Sequence, residues 1–295
     1  MATRNDGSLA RNLRAVFSLG VLGDLTDGQL LERFATLEGE QAELAFSIIV
    51  ERHGPMVLGV CRRILANPHD AQDAFQATFL VLVRRMRRLW VRDSLGPWLY
   101  QVAYRTASCA RRVARRRREL DRRVAISIEV GPSAVPDDLG QTLVEEIQRL
   151  PERFRGPIVL CDLEGLSHEL AARQLGLPVG TIKSRLSRGR EHLKGRLVRR
   201  GITPNAGMIA MAMRLEGFSL SPSPSLINIT TRSALLFTTT RPIGTGTALL
   251  LAQEVLRSMI WTGGLKLASI VIAVGATGSG IAMVSSVAPP SDPRP

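Results

Sequence analysis

Metal and redox chemistry have little to work with in this sequence. Its three cysteines, Cys61, Cys109 and Cys161, lie far apart. There is no CxxC pair and no Cys/His ligand spacing, which excludes the common structural zinc sites and fits a reduced, cytoplasmic chain. The four histidines, His53, His69, His168 and His192, are scattered, and each reads as a surface or packing residue. Aromatic residues make up only 4% of the chain, which argues against a large aromatic-lined pocket. No nucleophile–base pair, Gly-rich phosphate loop or metal set is present, so the chain reads as a non-enzyme without a cofactor. Acidic residues are also in deficit: 26 Asp and Glu stand against 39 Lys and Arg, a formal net charge of +13. That excess points to a polyanionic partner, either nucleic acid or an acidic membrane surface.

What is present begins with length. A chain of 295 residues predicts about two domains. Its cationic charge is concentrated. Fourteen arginines lie from Arg84 to Arg123, with only Asp93, Glu119 and Asp121 against them.

The stretch from Leu166 to Leu197, LSHELAARQLGLPVGTIKSRLSRGREHLKGRL, carries the clearest pattern. Ser167 is placed to cap a short helix whose inner face is Leu170, Ala171 and Leu175. Gly176 permits a tight turn. Ile182, Leu186, Gly189, Leu193 and Leu197 then recur at helical spacing, so a second helix begins near Val179 or Gly180. Two helices about a Gly-centred turn make a helix-turn-helix. Thr181, Ser184, Arg185 and Arg188 point away from the apolar stripe and are of the types that reach base edges and phosphates in a major groove. The bland reading is a helical hairpin with a solvated basic face.

Upstream, Thr26 and Asp27 offer caps for a helix to Leu37, and an apolar helical pattern follows from Glu40 to Leu65, with Gly54-Pro55 expected to kink or break it. Asn67-Pro68-His69-Asp70 is a strong helix start running to about Leu89. From Asp70, Ala71, Phe75, Thr78, Phe79 and Leu82 fall between roughly 80° and 180°, while Asp73 and Gln76 fall at roughly 300° and 240°. The helix therefore has an apolar face and an opposite strip of Asp70, Asp73 and Gln76. That strip is either simply solvated or docks a protein. Residues 86–96 read as a basic loop or helix end bearing Trp90. A helix then starts at Pro97 with Trp98 as a core anchor and runs into RRVARRRR. A basic helix behind an aromatic loop suits DNA backbone contact with single-strand capture.

Residues 1–24 read as an arm rather than a secretory signal, for want of a small-residue cleavage site. Residues 119–140 lose periodicity and read as a linker, and 201–246, Ser-, Pro- and Thr-rich, as a low-order one. Residues 247–295 read as a helical extension in which 267–288 lacks charge. At about 1.5 Å per residue this segment can cross a bilayer, tethering a cytoplasmic body to the inner membrane. The alternative is a helix packed against protein.

Two stretches together resemble the extracytoplasmic-function group of sigma factors in the sigma-70 family. They are DAQDAFQATFLVLVRR with GPWLYQVAYRTA, and LPERFRGPIVLCDLEGLSHELAARQLGLPVGTIKSRLSRGREHL. The resemblance implies an all-α fold: sigma domain 2 over residues 25–118 and a helix-turn-helix domain 4 over 141–200, joined by the linker, with the C-terminal extension outside the shared core. It implies that Asp70, Asp73 and Gln76 dock to the clamp helices of the largest subunit of core RNA polymerase. The loop bearing Trp90 would capture a base of the promoter's −10 element and the helix carrying Arg105 would hold adjoining duplex. Lys183, Ser184, Ser187 and Arg188 would face the −35 element, with Arg185 on phosphate. An anti-sigma regulator is a further implied partner. Arg105 stands where the family often has Asn, which shifts that helix toward backbone contact. The competing reading is a helix-turn-helix regulator that binds DNA unaided.

Overall fold

The structure, a computed structural model, describes residues 25–89, 94–124, 138–202, 221–239 and 246–258. Trp90, the N-terminal arm and the candidate spanning segment 267–288 fall outside these residues. Every regular element among the described residues is helical. In chain order they are α1 (Asp27–Thr36), α2 (Glu40–Ile64), α3 (Pro68–Arg85), a single 3₁₀ turn (Met86–Arg88), α4 (Gly96–Val124), α5 (Asp138–Gln148), α6 (Glu152–Ile158), a π turn (Val159–Leu163), α7 (His168–Leu175), α8 (Val179–Arg199) and α9 (Pro224–Thr239). A last helical stretch covers 247–258. The elements up to Val255 belong to one compact unit, and Leu256 onward to a second.

Local chemistry starts each of the early helices. Thr26 and Gln29 form a reciprocal capping box on α1. The Asn67 side chain accepts from the His69 N–H, and Pro68 takes the first turn of α3, where no N–H is needed. Helices α1 to α4 pack as one bundle. Its centre is an aromatic cluster, Phe34, Phe46, Phe79 and Phe75, with successive ring centroids 4.5 to 6.3 Å apart. The buried Thr78 and Thr106 hydroxyls meet at 2.9 Å between α3 and α4.

Four expectations need correction. Helix α2 runs unbroken through Gly54 and Pro55. A proline inside a helix costs about 3 kcal/mol. Here α2 is buried along most of its length, and that packing outweighs the local cost. It is also the one described helix long and apolar enough to cross a membrane, with 72% of its most apolar window buried. Trp98 is only half-buried, and Tyr100 is the fully buried anchor, its hydroxyl donating to the Val144 carbonyl at 2.8 Å. Helix α4 extends past Glu119 to Val124, since arginine is a good helix former, and α5 begins at Asp138. Finally, the stretch expected to be low-order between 201 and 246 contains α9, which packs against α2 and α3.

Helices α5 to α8 form the second bundle. Ser167 caps α7 by accepting from the Leu170 N–H. Gly176 ends α7 in the left-handed region at φ 62°, where a side chain would be strained. Leu160, Ala171, Ala172 and Ile182 close the core of the helix-turn-helix. Gly189 lets α8 approach α6: a Cβ there would fall 2.9 Å from Ile158 Cδ1 and 3.3 Å from Phe154 Cβ. Gly189→Val is expected to cost about 1–3 kcal/mol through overpacking, seen as a lower urea midpoint with unchanged helical content.

Candidate nucleic-acid and polymerase interfaces

On α8 the buried residues are Ile182, Leu186, Gly189, Leu193 and Leu197, the stripe expected from periodicity. Lys183, Ser184, Ser187 and Arg188 are exposed on the other side, with Thr181 and Arg185 half-buried beside them. The sequence-expected base-reading residues therefore share one accessible face. Helix α8 is held firmly. Arg190 forms a two-pronged ion pair with Asp162 of the π turn, its Nε 3.1 Å from Oδ2. The buried Glu146 carboxylate on α5 receives Arg149 at 2.6 Å, Arg196 at 3.2 Å and Arg200 at 2.8 Å. A helix carrying this much positive charge keeps part of it as scaffold and leaves the rest facing solvent.

Asp70, Asp73 and Gln76 lie along one side of α3 and are each half-buried. Burial is the main influence raising the Asp73 carboxyl above its ordinary value, and Asp70 adds to it; His69 and a hydrogen bond from the Thr247 side chain oppose them. Arg105 is half-buried on α4, close enough to Arg155 of α6 for mutual repulsion. A shallow hollow lined by Gly28, Leu31, Glu32, Met86, Arg87 and Leu89 opens beside the start of the Trp90 loop.

One buried ionic cluster had no counterpart in the sequence reading. His53 of α2, expected to be a surface or packing residue, is 1% exposed. Its Nε2 lies 2.8 Å from Asp27 Oδ2 and its Nδ1 2.7 Å from Glu164 Oε1. Burial alone would lower the imidazole pKa, but the two carboxylates outweigh it and push it up to about 10. Burial would likewise raise Asp27, yet His53, the Leu95 N–H at 2.7 Å and Arg52 at 2.6 Å bring it down to about 2. The imidazolium and the Asp27 carboxylate are therefore charged together, with the Glu164 carboxyl on the other side of the ring. Glu164 follows the π turn, so this triad fastens the second bundle to the first. Its members lie 26 and 111 positions apart, and no local pattern announces them.

Two family descriptions match separate parts of the chain. Residues 49–119 match Sigma-70 region 2 and residues 140–193 match Sigma-70, region 4. The chain is 32% identical over 179 residues to the RNA polymerase sigma-H factor of Pseudomonas aeruginosa, covering 56% of this chain and 90% of that one. It belongs to the sigma-70 family of RNA polymerase sigma factors, in the extracytoplasmic-function group. The RNA polymerase sigma factor CarQ of Myxococcus xanthus is 33% identical over 169 residues, covering 56% and 93%. The extracytoplasmic-function sigma factor SigE of Mycolicibacterium smegmatis is 32% identical over 168 residues, and the match spans 55% of this sigma factor and 65% of that one. Among solved structures, the sigma factor RpoE in complex with the anti-sigma factor NepR from Bartonella quintana is 26% identical, covering 49% of this chain and 91% of that one, with a TM-score of 0.25.

Proposed function

We propose that this sigma factor binds core RNA polymerase through Asp70, Asp73 and Gln76 of α3 and reads the −35 element through α8. The observation that carries the reading is the α8 face. Four exposed side chains of base-reading type stand on a helix whose opposite stripe is wholly buried. Thr181 and Arg185 flank them as phosphate contacts, and the Arg185 charge makes affinity fall with salt. Arg105 and the loop bearing Trp90 act on the −10 region. The polymerase supplies the chemistry and the sigma factor supplies the address. An anti-sigma regulator and attachment to the membrane through 267–288 are further parts of this reading.

The docking strip has its own test. Asp73→Arg replaces an acceptor with a cation and is expected to weaken binding to core RNA polymerase about 10-fold or more, with the unfolding midpoint little changed. The measurement is a titration of labelled full-length chain with core enzyme. Unchanged affinity would remove Asp73 from the interface.

A further inference from the structure

Hydrogen bonds and an ion pair tie the first bundle to the second. His53 Nδ1 of α2 lies 2.7 Å from Glu164 Oε1, just past the π turn. The Tyr100 hydroxyl of α4 donates to the Val144 carbonyl of α5 at 2.8 Å. Arg111 Nη2 of α4 lies 3.7 Å from Glu145 Oε1 of α5. Glu164 is fitted most closely. Its side chain is 7% exposed and fills the space beside Gly96, the first residue of α4. A Cβ at Gly96 would fall 2.6 Å from Glu164 Oε2 and 2.9 Å from its Cδ. Other ties are internal to a bundle. His53, Arg52 and the Leu95 N–H share Asp27 in the first. Glu146 holds Arg149, Arg196 and Arg200 in the second. No described helix runs from one bundle into the other, since α4 ends at Val124 and α5 begins at Asp138.

A promoter is too long for this arrangement. Positions −35 and −10 are about 25 base pairs apart, and at about 3.4 Å per pair that is about 85 Å of duplex. A compact body of about 175 residues has a radius of gyration of about 16 Å and is about 40 Å across. Bundles joined through Glu164 and Tyr100 cannot stand on both elements at once. We infer that the chain rests closed, with Glu164 as the latch that holds domain 4 on domain 2, and that engaging both promoter elements draws Glu164 out from between His53 and Gly96. The inference rests on the two-element reading proposed above. The latch is suited to release. On parting, His53 keeps Asp27, while Glu164, Tyr100 and the Val144 carbonyl exchange protein partners for water, so each tie is modest in net terms. The ion pair of Arg190 with Asp162 lies inside the second bundle, so the α8 face travels intact.

The test uses the full chain, core RNA polymerase and promoter DNA. Dyes are attached through unnatural amino acids at the exposed positions Gln41, in the first bundle, and Lys194, in the second. Energy transfer between them is expected to be high in the free chain and lost in the promoter complex. Glu164→Ala removes the latch, and Gly96→Ala pushes its carboxyl aside from the α4 side. Neither residue belongs to the promoter or polymerase contacts. Each variant is expected to reach half-maximal run-off transcription at about 10-fold lower concentration, because a chain that is closed most of the time loses apparent affinity in proportion. If transfer stays at its free-chain value while run-off still depends on the −35 sequence, the closed state is overturned and the reading of α8 stands. If transfer stays and run-off ignores the −35 sequence, both fall. If transfer is lost on the promoter but neither variant shifts the half-maximal concentration, Glu164 is not the latch.

Discussion

Replacing His53 with alanine is expected to lower folding stability by about 3–5 kcal/mol, the usual cost of leaving a buried charge without its partner. The loss falls unevenly. Asp27 keeps Arg52 and the Leu95 N–H. Glu164 loses the cation that fastens it to α2, and its carboxylate is only 7% exposed. The contact between bundles should therefore suffer more than the first bundle itself. The pH dependence follows from the directions of the two shifts. His53 is raised in the folded chain from 6.5 to about 10. Its contribution is complete below the unfolded value and is lost as pH climbs toward the folded one. Asp27 is lowered from 3.8 to about 2, so its contribution is complete above the unfolded value and is lost as pH falls through the folded one. The His53–Asp27 pair is therefore fully stabilising from 3.8 up to 6.5, and its contribution fades as pH climbs from there toward 10. Urea unfolding of the unaltered chain and His53→Ala at about pH 5 and about pH 9.5 checks this. The gap between them should shrink at the higher pH. A gap that stays constant would mean that His53 is buried neutral.

How much of this was legible depends on the range of the interaction concerned. Cap residues act over three positions, and Asn67 and Ser167 cap helices as their local patterns indicated. Periodicity acts within one helix, so the buried stripe of α8 was readable residue by residue. The same periodicity placed Asp73 on the side of α3 away from the Phe75, Phe79 and Leu82 core. It could not show that α9 packs on that helix as well. Helix α9 has few strong helix formers, four Thr, only Arg232 as charge and no acidic first turn, and its one local start signal is Ser223, which accepts from the Leu226 N–H ahead of Pro224. It owes its form to packing on α2 and α3, which only the folded chain supplies. Pro55 is the same lesson with the opposite sign: a local breaker overridden by burial. The His53 triad is the extreme case. A histidine inside an apolar run looks the same whether it packs against leucine or bridges two carboxylates.

Arg188→Ala is expected to reduce transcription from a cognate promoter about 10- to 100-fold, since a good contact to a base edge contributes about 1–3 kcal/mol of discrimination. Helix α8 and its C-cap divide their cations between scaffold and surface. Arg190, two positions on, is committed to Asp162, and Arg196 and Arg200 to Glu146. Arg190→Ala should therefore lower the unfolding midpoint and reduce activity at every promoter alike. Arg188 is exposed on the face with Lys183, Ser184 and Ser187, so its removal should leave the midpoint and core binding unchanged. Total activity alone does not separate base reading from phosphate contact. The informative quantity is the ratio of run-off transcript from the cognate promoter to that from promoters substituted one base at a time in the −35 element. If Arg188 reads a base, that ratio collapses at one position and holds at the others. If all ratios hold while the salt dependence weakens, Arg188 is a phosphate contact, and reading falls to Lys183 and Ser184.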